Sequence, residues 1–321
     1  MNRKPFNILS GKAAVLTLLA AVLTACEYKE LDDYTANPTC QLQVEFDWSK
    51  VDSIPTWMRL GFYPYSEDGV TRGYELYDIS SEGDIVNIYP GVYNITTWNS
   101  DANHVYTSGY SSRENINATT GKYSTHGNYL MPPVLDSIFE GQRVLDYPDY
   151  MVHANMLTVE VQPVRNQKVT LTPDSMVVTV DMQLNGIKGL EYCKSIRGAL
   201  NNVAGRRYMA FDNKTEETVA IMFDAGVKDD STVVARFWVF GIEPTGADSL
   251  QHQVVMFFWM QSGQVFVPID ITNTLSDVDK DDKYIFINSP DLGIDLRDYL
   301  PQGGWQIDVD GWENVNTPIS L

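Results

Sequence analysis

Short runs of alternating polar and apolar residues recur along this chain of 321 residues and limit the folds that it can adopt. The first run, QLQVEFDW at 41–48, places Leu42, Val44, Phe46 and Trp48 on one face and polar residues on the other. A period of two residues is that of a β-strand with one buried face. Similar runs follow at short intervals, separated by turn residues such as SEDG and PG. The sequence therefore predicts an all-β protein.

The length indicates two domains, because the chain is about twice as long as a typical domain. The runs of strands favour two tandem β-sandwiches, one at 39–164 and one at 168–321, with a linker at 165–167 and a Gly-rich last strand. One segment, GLEYCKSIRGALNNVAG at 189–205, has apolar residues at spacings of three and four, which are typical of a helix. Its neighbours favour another strand and a turn, and the sequence leaves both open.

The first residues have the pattern of a secretory signal. Three basic residues precede an apolar run that ends in the letters LTAC at 23–26. The run is shorter than the roughly 20 residues needed to span a bilayer. Small residues before a cysteine are typical of lipoprotein signals, so we expect residues 1–25 to be removed and Cys26 to carry lipid. The alternative is an ordinary signal peptide with a chance cysteine.

The mature chain is strongly acidic. Removal of 1–25 leaves 20 Lys and Arg against 42 Asp and Glu, a balance of −22. Such a chain repels nucleic acid and anionic lipid, so we expect no nucleic-acid partner and membrane attachment through covalent lipid. Residues 26–38 form an acidic tether, and its EYKELDDY stretch resembles export signals of Bacteroidetes surface lipoproteins. The predicted location is the outer face of the outer membrane; the alternative for this stretch is a hydrated tether alone.

Few residues suggest chemistry. The four histidines have no metal-ligand spacing, and no nucleophile elbow, phosphate loop or dinucleotide fingerprint occurs. We therefore expect no enzyme activity, no cofactor and no metal site. Asp277, Asp279 and Asp281 match three positions of a calcium loop that lacks its glycine and glutamate, which favours a solvated acidic hairpin and leaves calcium binding open. Cys40 and Cys193 could pair or remain buried thiols.

Asp-Ser-apolar triplets recur and resemble the acceptor sequence for O-glycosylation of exported Bacteroidetes proteins. The candidate acceptors are Ser53, Ser137, Ser175 and Ser249. The alternative is that aspartate and serine are simply favourable turn residues before strands.

Three segments are similar to fimbrillin-like lipoproteins of Bacteroidetes, a group that includes anchor and accessory subunits of type V fimbriae. They are YPGVYNITTWN at 89–99, RGALNNVAG at 197–205 and GGWQIDVDGWENV at 303–315. The resemblance implies two transthyretin-like β-sandwiches, no enzyme activity, and assembly with other fimbrial subunits by strand exchange. It also implies that the strand at 91–99 is scaffold, with Trp98 closing the end of the sandwich.

The resemblance gives the two ends of the chain separate roles. In the tail, Trp305, Ile307 and Val309 alternate with polar residues, which makes a candidate donor strand; the alternative is that the tail closes its own sandwich. Shaft subunits of this group are thought to lose their first strand to an arginine-specific protease. No arginine occurs from Cys26 through Met58. The first strand is therefore expected to stay in place, which fits an anchor or accessory subunit.

A second function remains open, that of a surface lipoprotein that binds glycans or host proteins. Aromatic residues make up 12% of the chain, and exposed rings can stack on sugars. We expect Trp48, Trp98, Trp238 and Trp259 to be core residues instead, because they lie in apolar runs or alternate with polar residues. An exposed row of aromatic rings on either sandwich would favour the binding function.

Overall fold

The computed structural model of the protein describes residues 39–65, 73–121, 139, 141–163, 167–211, 213–214, 217–242, 251–261, 263–275, 282–299 and 319–320. Several sequence predictions lie outside these residues: Cys26 and the tether at 26–38, Ser137, Ser249, the acidic loop at 277–281, and the tail strand with Trp305, Ile307 and Val309.

Strands make up most of the described chain. Those of the first half are β1 (Cys40–Phe46), β2 (Trp57–Pro64), β3 (Glu75–Ser80), β4 (Asp84–Ile88), β5 (Gly91–Asn99), β6 (Val105–Ser108), β7 (Asn117–Thr120), β8 (Val144–Asp146), β9 (Val152–Val161), β10 (Gln167–Leu171) and β11 (Asp174–Ser175). Those of the second half are β12 (Val178–Lys188), β13 (Cys193–Ala204), β14 (Arg206–Tyr208), β15 (Asn213–Lys214), β16 (Thr218–Asp229), β17 (Thr232–Val239), β18 (Gln253–Met260), β19 (Gly263–Asp270), β20 (Tyr284–Asp295) and β21 (Ile319–Ser320). Among the described residues the helical turns are short: three 3-10 turns at Arg113–Asn115, Leu190–Tyr192 and Leu296–Tyr299, and an α-helix at Thr272–Leu275.

Two sheets pack face to face to form the first sandwich. One has the strand order β10-β1-β4, and the other has the order β11-β9-β5-β2-β3. Side chains from both sheets meet in one apolar core. In β1, Cys40, Leu42 and Val44 point into this core, whereas Gln41 and Gln43 are exposed. The alternation predicted for the first strand is therefore confirmed.

The second sandwich is closed by the long strand β16. Its residues 218–225 pair with β13, and its residues 226–229 pair with β17. One sheet continues from β13 to β18 and β19, and the other continues from β17 to β12 and β20. Phe223 and Phe237 stack at 4.0 Å between ring centroids inside the core that the two sheets share. The predicted all-β fold class is confirmed.

The boundary between the sandwiches differs from the sequence prediction. The sequence predicts a linker at 165–167, but β10 begins at Gln167 and pairs in parallel with β1, and Val169 and Leu171 lie in the first core. β11 then pairs with β9. The first sandwich thus extends to Ser175. A parallel pairing with a strand more than a hundred residues earlier leaves no signal in the local sequence.

Part of the predicted first domain lies on the second sandwich. β8 pairs in parallel with β16, and Phe139 and Val144 pack against buried residues of β13, β16, β18 and β19. The segment between β5 and β9 therefore crosses from one sandwich to the other. The range 39–164 is not a self-contained unit.

The ambiguous segment at 189–205 is a 3-10 turn followed by β13. Its apolar spacing mimics a helix because both faces of the strand are covered: Ile196 and Leu200 lie in the core of the second sandwich, and Ala199 lies in the cluster with Phe139. At Asn202 the backbone has a φ of 55°, and the pairing with β16 shifts register between Leu200 and Val203. The strand interpretation was therefore the right one.

In the part of the chain that the structure describes, no helix has both the length and the apolar character that crossing a membrane requires.

Candidate functional site

The first strand occupies a central position, with a partner on each side. β1 pairs antiparallel with β4, from Cys40 opposite Ile88 to Val44 opposite Asp84, and in parallel with β10. Leu42 and Val44 are fully buried. Removal of β1 would therefore open a groove between β4 and β10 with unpaired backbone groups on both walls and an exposed apolar floor.

The loop after β1 is exposed and lies close to the groove. The amide of Asp47 donates to the carbonyl of Leu171 at 2.8 Å, and the indole of Trp48 donates to the carbonyl of Ser81 at 3.1 Å. These bonds fix the end of the strand. Lys50, two residues further on, is exposed. A cut in this loop would break the covalent connection between β1 and β2.

The first arginine after the predicted lipidation site lies inside the sheet. Arg59 is on β2, between β3 and β5. Its guanidinium donates two hydrogen bonds of 2.7 Å to the carboxylate of Asp78. A protease needs an extended, accessible backbone. The backbone of a strand that is hydrogen-bonded on both sides is not accessible, so we expect no cut at Arg59 in the folded chain.

The stretch at 89–99 forms β5, the central strand of the five-stranded sheet. Tyr93 and Ile95 point into the first core, as expected. Trp98 does not close the end of the sandwich. It lies on the opposite face, where its ring stacks on Tyr110 with centroids 6.1 Å apart, in a cluster with Phe240 from the second half. The tryptophan therefore seals the contact between the two sandwiches.

A composite sheet joins the halves of the molecule. Its order is β15-β14-β7-β6, so two strands from the first half pair with two from the second. Met209, which follows β14, packs in the same cluster as Trp98, and its backbone amide donates to Ile116 at 3.0 Å. We call this contact the joint. It connects the sandwiches by a hydrogen-bonded sheet as well as by apolar packing.

A buried arginine ties the joint together. Arg113 is only 6% exposed. It donates to the Thr96 hydroxyl at 3.1 Å, to the Asn155 side chain at 3.2 Å and to the carbonyl of Ala210 at 3.2 Å. Burial lowers the pKa of Arg113 from its usual value. Its bonds connect β5, β9 and the segment after β14.

We expect Trp98→Ala to reduce the free energy of unfolding by about 3–5 kcal/mol, because it leaves a large cavity at the joint. Trp57→Ala is the matched control, since Trp57 lies on the neighbouring strand β2 and is 50% exposed. The control should change the free energy of unfolding by less than about 1 kcal/mol. Urea denaturation followed by circular dichroism measures both. Equal losses for the two variants would contradict the position given to Trp98.

Two of the four candidate glycosylation sites are described, and their surroundings differ. Ser53 lies in the loop after β1, where Asp52 and Ile54 are also exposed. Ser175 is buried, and its hydroxyl donates to the carbonyl of Val177 at 2.7 Å. A glycan on Ser175 would have to break this bond and open the joint. Ser53 is the described site that a transferase could reach on the folded chain.

The two described cysteines lie in different cores and form no disulfide with each other. Cys40 belongs to the first sandwich, and Cys193 packs against the core of the second. Burial raises the pKa of the Cys193 thiol to about 11, so it is protonated at neutral pH. No group of three or more potential metal ligands converges among the described residues.

A family profile matches residues 25–224, well over half of the chain. The family is described as a domain of unknown function, DUF5119. The chain belongs to this family. The matched range includes Trp98, Arg113 and the four strands of the composite sheet, and it ends within β16.

The chain is also similar to a protein of Bacteroides ovatus named "Putative fimbrium anchoring subunit Fim4B". The two are 26% identical over 233 residues, which is 70% of this chain. The match spans 64% of the length of that relative. It confirms the resemblance to fimbrial proteins of Bacteroidetes that the three sequence segments indicated.

One solved structure shares the fold, and a second is a more distant match. A crystal structure of "a putative adhesin" from Bacteroides ovatus ATCC 8483 superposes with a TM-score of 0.61 at 20% identity and covers 86% of this chain and 97% of its own. The fimbrial anchor protein Mfa2 from Porphyromonas gingivalis is a more distant neighbour, with a TM-score of 0.46 and 14% identity over 78% of this chain and 90% of its own. The first of these shows a common fold.

Proposed function

We propose that this protein is a lipid-anchored cell-surface subunit that anchors a fimbria to the outer membrane or serves as an accessory subunit there. The observation that carries the proposal is the position of β1. It fills the groove between β4 and β10, and no arginine precedes Arg59 after the predicted lipidation site. A subunit whose groove stays filled cannot accept a strand there, so it can hold a fibre but cannot extend one through that groove.

Lipid on Cys26 would supply the attachment. Residues 26–38 then form a tether of 13 residues before the sandwich. Thirteen residues can reach at most about 45 Å. The mature balance of −22 disfavours contact with anionic headgroups, so the sandwich would stand away from the bilayer.

The relatives support a structural role rather than a catalytic one. The curated relative carries the name "Putative fimbrium anchoring subunit Fim4B", and the neighbour with the same fold is described as "a putative adhesin". We propose that this chain has no enzyme activity and that backbone edges and surface side chains make its contacts. We further propose two tandem transthyretin-like sandwiches, with the boundary moved from 165–167 to the residues between β11 and β12.

The role of the tail remains part of the proposal. Ile319 and Ser320 pair in parallel with Ile269 and Asp270 on the edge strand β19. This pairing supports the alternative in which the end of the chain adds to its own sandwich. Donation of Trp305, Ile307 and Val309 to a neighbouring subunit stays a prediction, as does glycosylation at Ser53.

Co-isolation from the native cells tests this function. Outer membranes are extracted with mild detergent, an affinity-tagged copy of the chain is captured, and bound proteins are identified by mass spectrometry. We expect a fimbrial shaft subunit to be captured with the tagged chain, as polymers of several lengths. Capture of the tagged chain alone, from cells that display fimbriae, would contradict the proposal.

A further inference from the structure

A shallow depression lies on the outer face of the second sandwich. The ladder between β16 and β17 ends where Gly226 pairs with Val234, because β16 then turns to β13. The sheet opens at this point. The resulting depression has a volume of about 550 Å³ and is lined by residues that include Asp181, Gln183, Asp224, Arg236 and Phe286. We call it the β16–β17 depression. Small-ligand sites commonly occupy roughly 300–1,000 Å³.

Two aromatic rings stand at its rim. Tyr284 and Phe286 are alternate residues of β20 and point to the same side of the sheet, about 7 Å apart along the strand. They are 53% and 52% exposed, so both rings are accessible from solvent. Register places Phe286 beside Asp181 on β12, and Asp181 beside Arg236 on β17. An aromatic face and a row of planar polar groups thus lie side by side.

The polar groups are already held in place. Arg236 binds the Asp181 carboxylate through two hydrogen bonds of 2.6 and 2.5 Å, and the Tyr284 hydroxyl donates to the same carboxylate at 2.6 Å. Lys228 donates to the Gln183 side chain at 2.8 Å. Bonds of this kind keep the donors and acceptors preorganised and lower the cost of binding a ligand with many hydroxyl groups.

Each charged residue that lines the depression is paired with an opposite charge. Asp181 pairs with Arg236, and Asp224 pairs with Arg197 at 3.0 Å. The chain as a whole carries a large negative charge. Local neutrality and long-range repulsion of anions together favour an uncharged ligand over an anionic one.

We propose that the β16–β17 depression binds a neutral glycan, with a sugar ring stacked on Phe286 and its hydroxyl groups bonded to Asp181, Gln183 and Arg236. The combination of one aromatic face with fixed polar groups matches a ring that has an apolar face and a polar rim. A protein partner fits less well, because the core of a protein interface is depleted of charge, whereas here charged side chains flank both rings. This binding role would add adhesion to the proposed anchoring function and does not depend on it.

Affinity gel electrophoresis of the purified mature chain tests the proposal. The gels contain neutral polysaccharides, namely mannan, galactomannan, xylan and soluble β-glucan, and in parallel the anionic polymers polygalacturonate and chondroitin sulfate. We expect at least one neutral polymer to retard the protein and neither anionic polymer to do so. Phe286→Ala should weaken the interaction at least about tenfold, equivalent to about 1.4 kcal/mol.

Tyr106→Ala is the matched control, since Tyr106 on β6 is also exposed and belongs to the first half of the chain. It should bind like the unaltered protein. Melting temperatures within a few degrees of each other would show that all variants are folded. Any of three results would overturn the proposal. No neutral polymer retards the protein, or only the anionic polymers do. Alternatively, Phe286→Ala and Tyr106→Ala have equal effects. Failure of fibre co-isolation with intact glycan binding would instead contradict only the anchoring function.

Discussion

Replacement of Lys50 by arginine should make the first strand removable. The variant Lys50→Arg presents an arginine in the exposed loop directly after β1. An arginine-specific endopeptidase is then expected to cut after residue 50 and produce the fragment 26–50 from the mature chain. The unaltered protein should yield no fragment that ends there, because no arginine occurs between Cys26 and Arg59. The change is from no cleavage at this bond to nearly complete cleavage.

The folded protein is digested, and the fragments are then denatured and measured by mass spectrometry. Lys50→Gln is the control, and its bond after residue 50 should remain uncut. Persistence of an intact 50–51 bond in Lys50→Arg, while the denatured variant is cut there, would show that the loop is protected. The same fragment from the unaltered chain would contradict the idea that the missing arginine keeps β1 in place.

Cleavage alone should not release β1. Three of its side chains, Cys40, Leu42 and Val44, are buried in the first core. At about 1.5–3 kcal/mol for each large apolar side chain, together with two ladders of hydrogen bonds, the strand should stay bound until a competitor replaces it. A labelled peptide with the sequence of residues 40–46 should therefore exchange into cleaved Lys50→Arg and not into the intact protein. Equal labelling of both would mean that the groove opens without a cut.

Replacement of Cys26 by serine should abolish membrane attachment. Serine has no thiol to acylate, and each buried CH₂ of an acyl chain contributes about 0.8 kcal/mol to membrane binding, so the loss of all chains is close to an all-or-none effect. We expect Cys26→Ser to incorporate no fatty-acid label and to be missing from the outer-membrane fraction. Metabolic labelling with an alkyne fatty acid, followed by membrane fractionation, measures both properties.

The matched control is Cys193→Ser, which removes a thiol from the second sandwich. It should keep both the label and the outer-membrane location. Label on Cys26→Ser would assign acylation to another residue. An unlabelled native chain in the outer-membrane fraction would mean that other contacts hold the protein there.

Local patterns were enough to predict the fold class and the character of the first strand, because alternation of buried and exposed residues within one strand is a property of adjacent residues. They failed where pairing is distant in sequence. β10 joins β1, and β8 joins β16, and both contacts are parallel. The strand pairing therefore differs from the boundary predicted at 165–167.

The sequence does not predict the joint between the sandwiches, for a second reason. Trp98 and Arg113 contact residues of the other half, and nothing in their own neighbourhoods identifies those partners. The exposed rings of Tyr284 and Phe286 could be predicted only in part. The alternation in YIF at 284–286 places both rings on one face, but their exposure depends on whether another layer covers that face. The change of partner of β16 at Gly226 also leaves no local signal, because it depends on the three-dimensional closure of the sandwich.

The central position of β1 also has a mechanical consequence. If lipid holds the chain at its N-terminal end, tension enters the molecule along the axis of this strand. The ladder bonds to β4 and β10 lie across that axis, so a pull loads them in shear, all together, instead of breaking them one after another. The parallel partner β10 continues through β11 into the joint, where the composite sheet passes the load to the second sandwich. The molecule is thus built to resist extraction by force while its surface remains available for contacts.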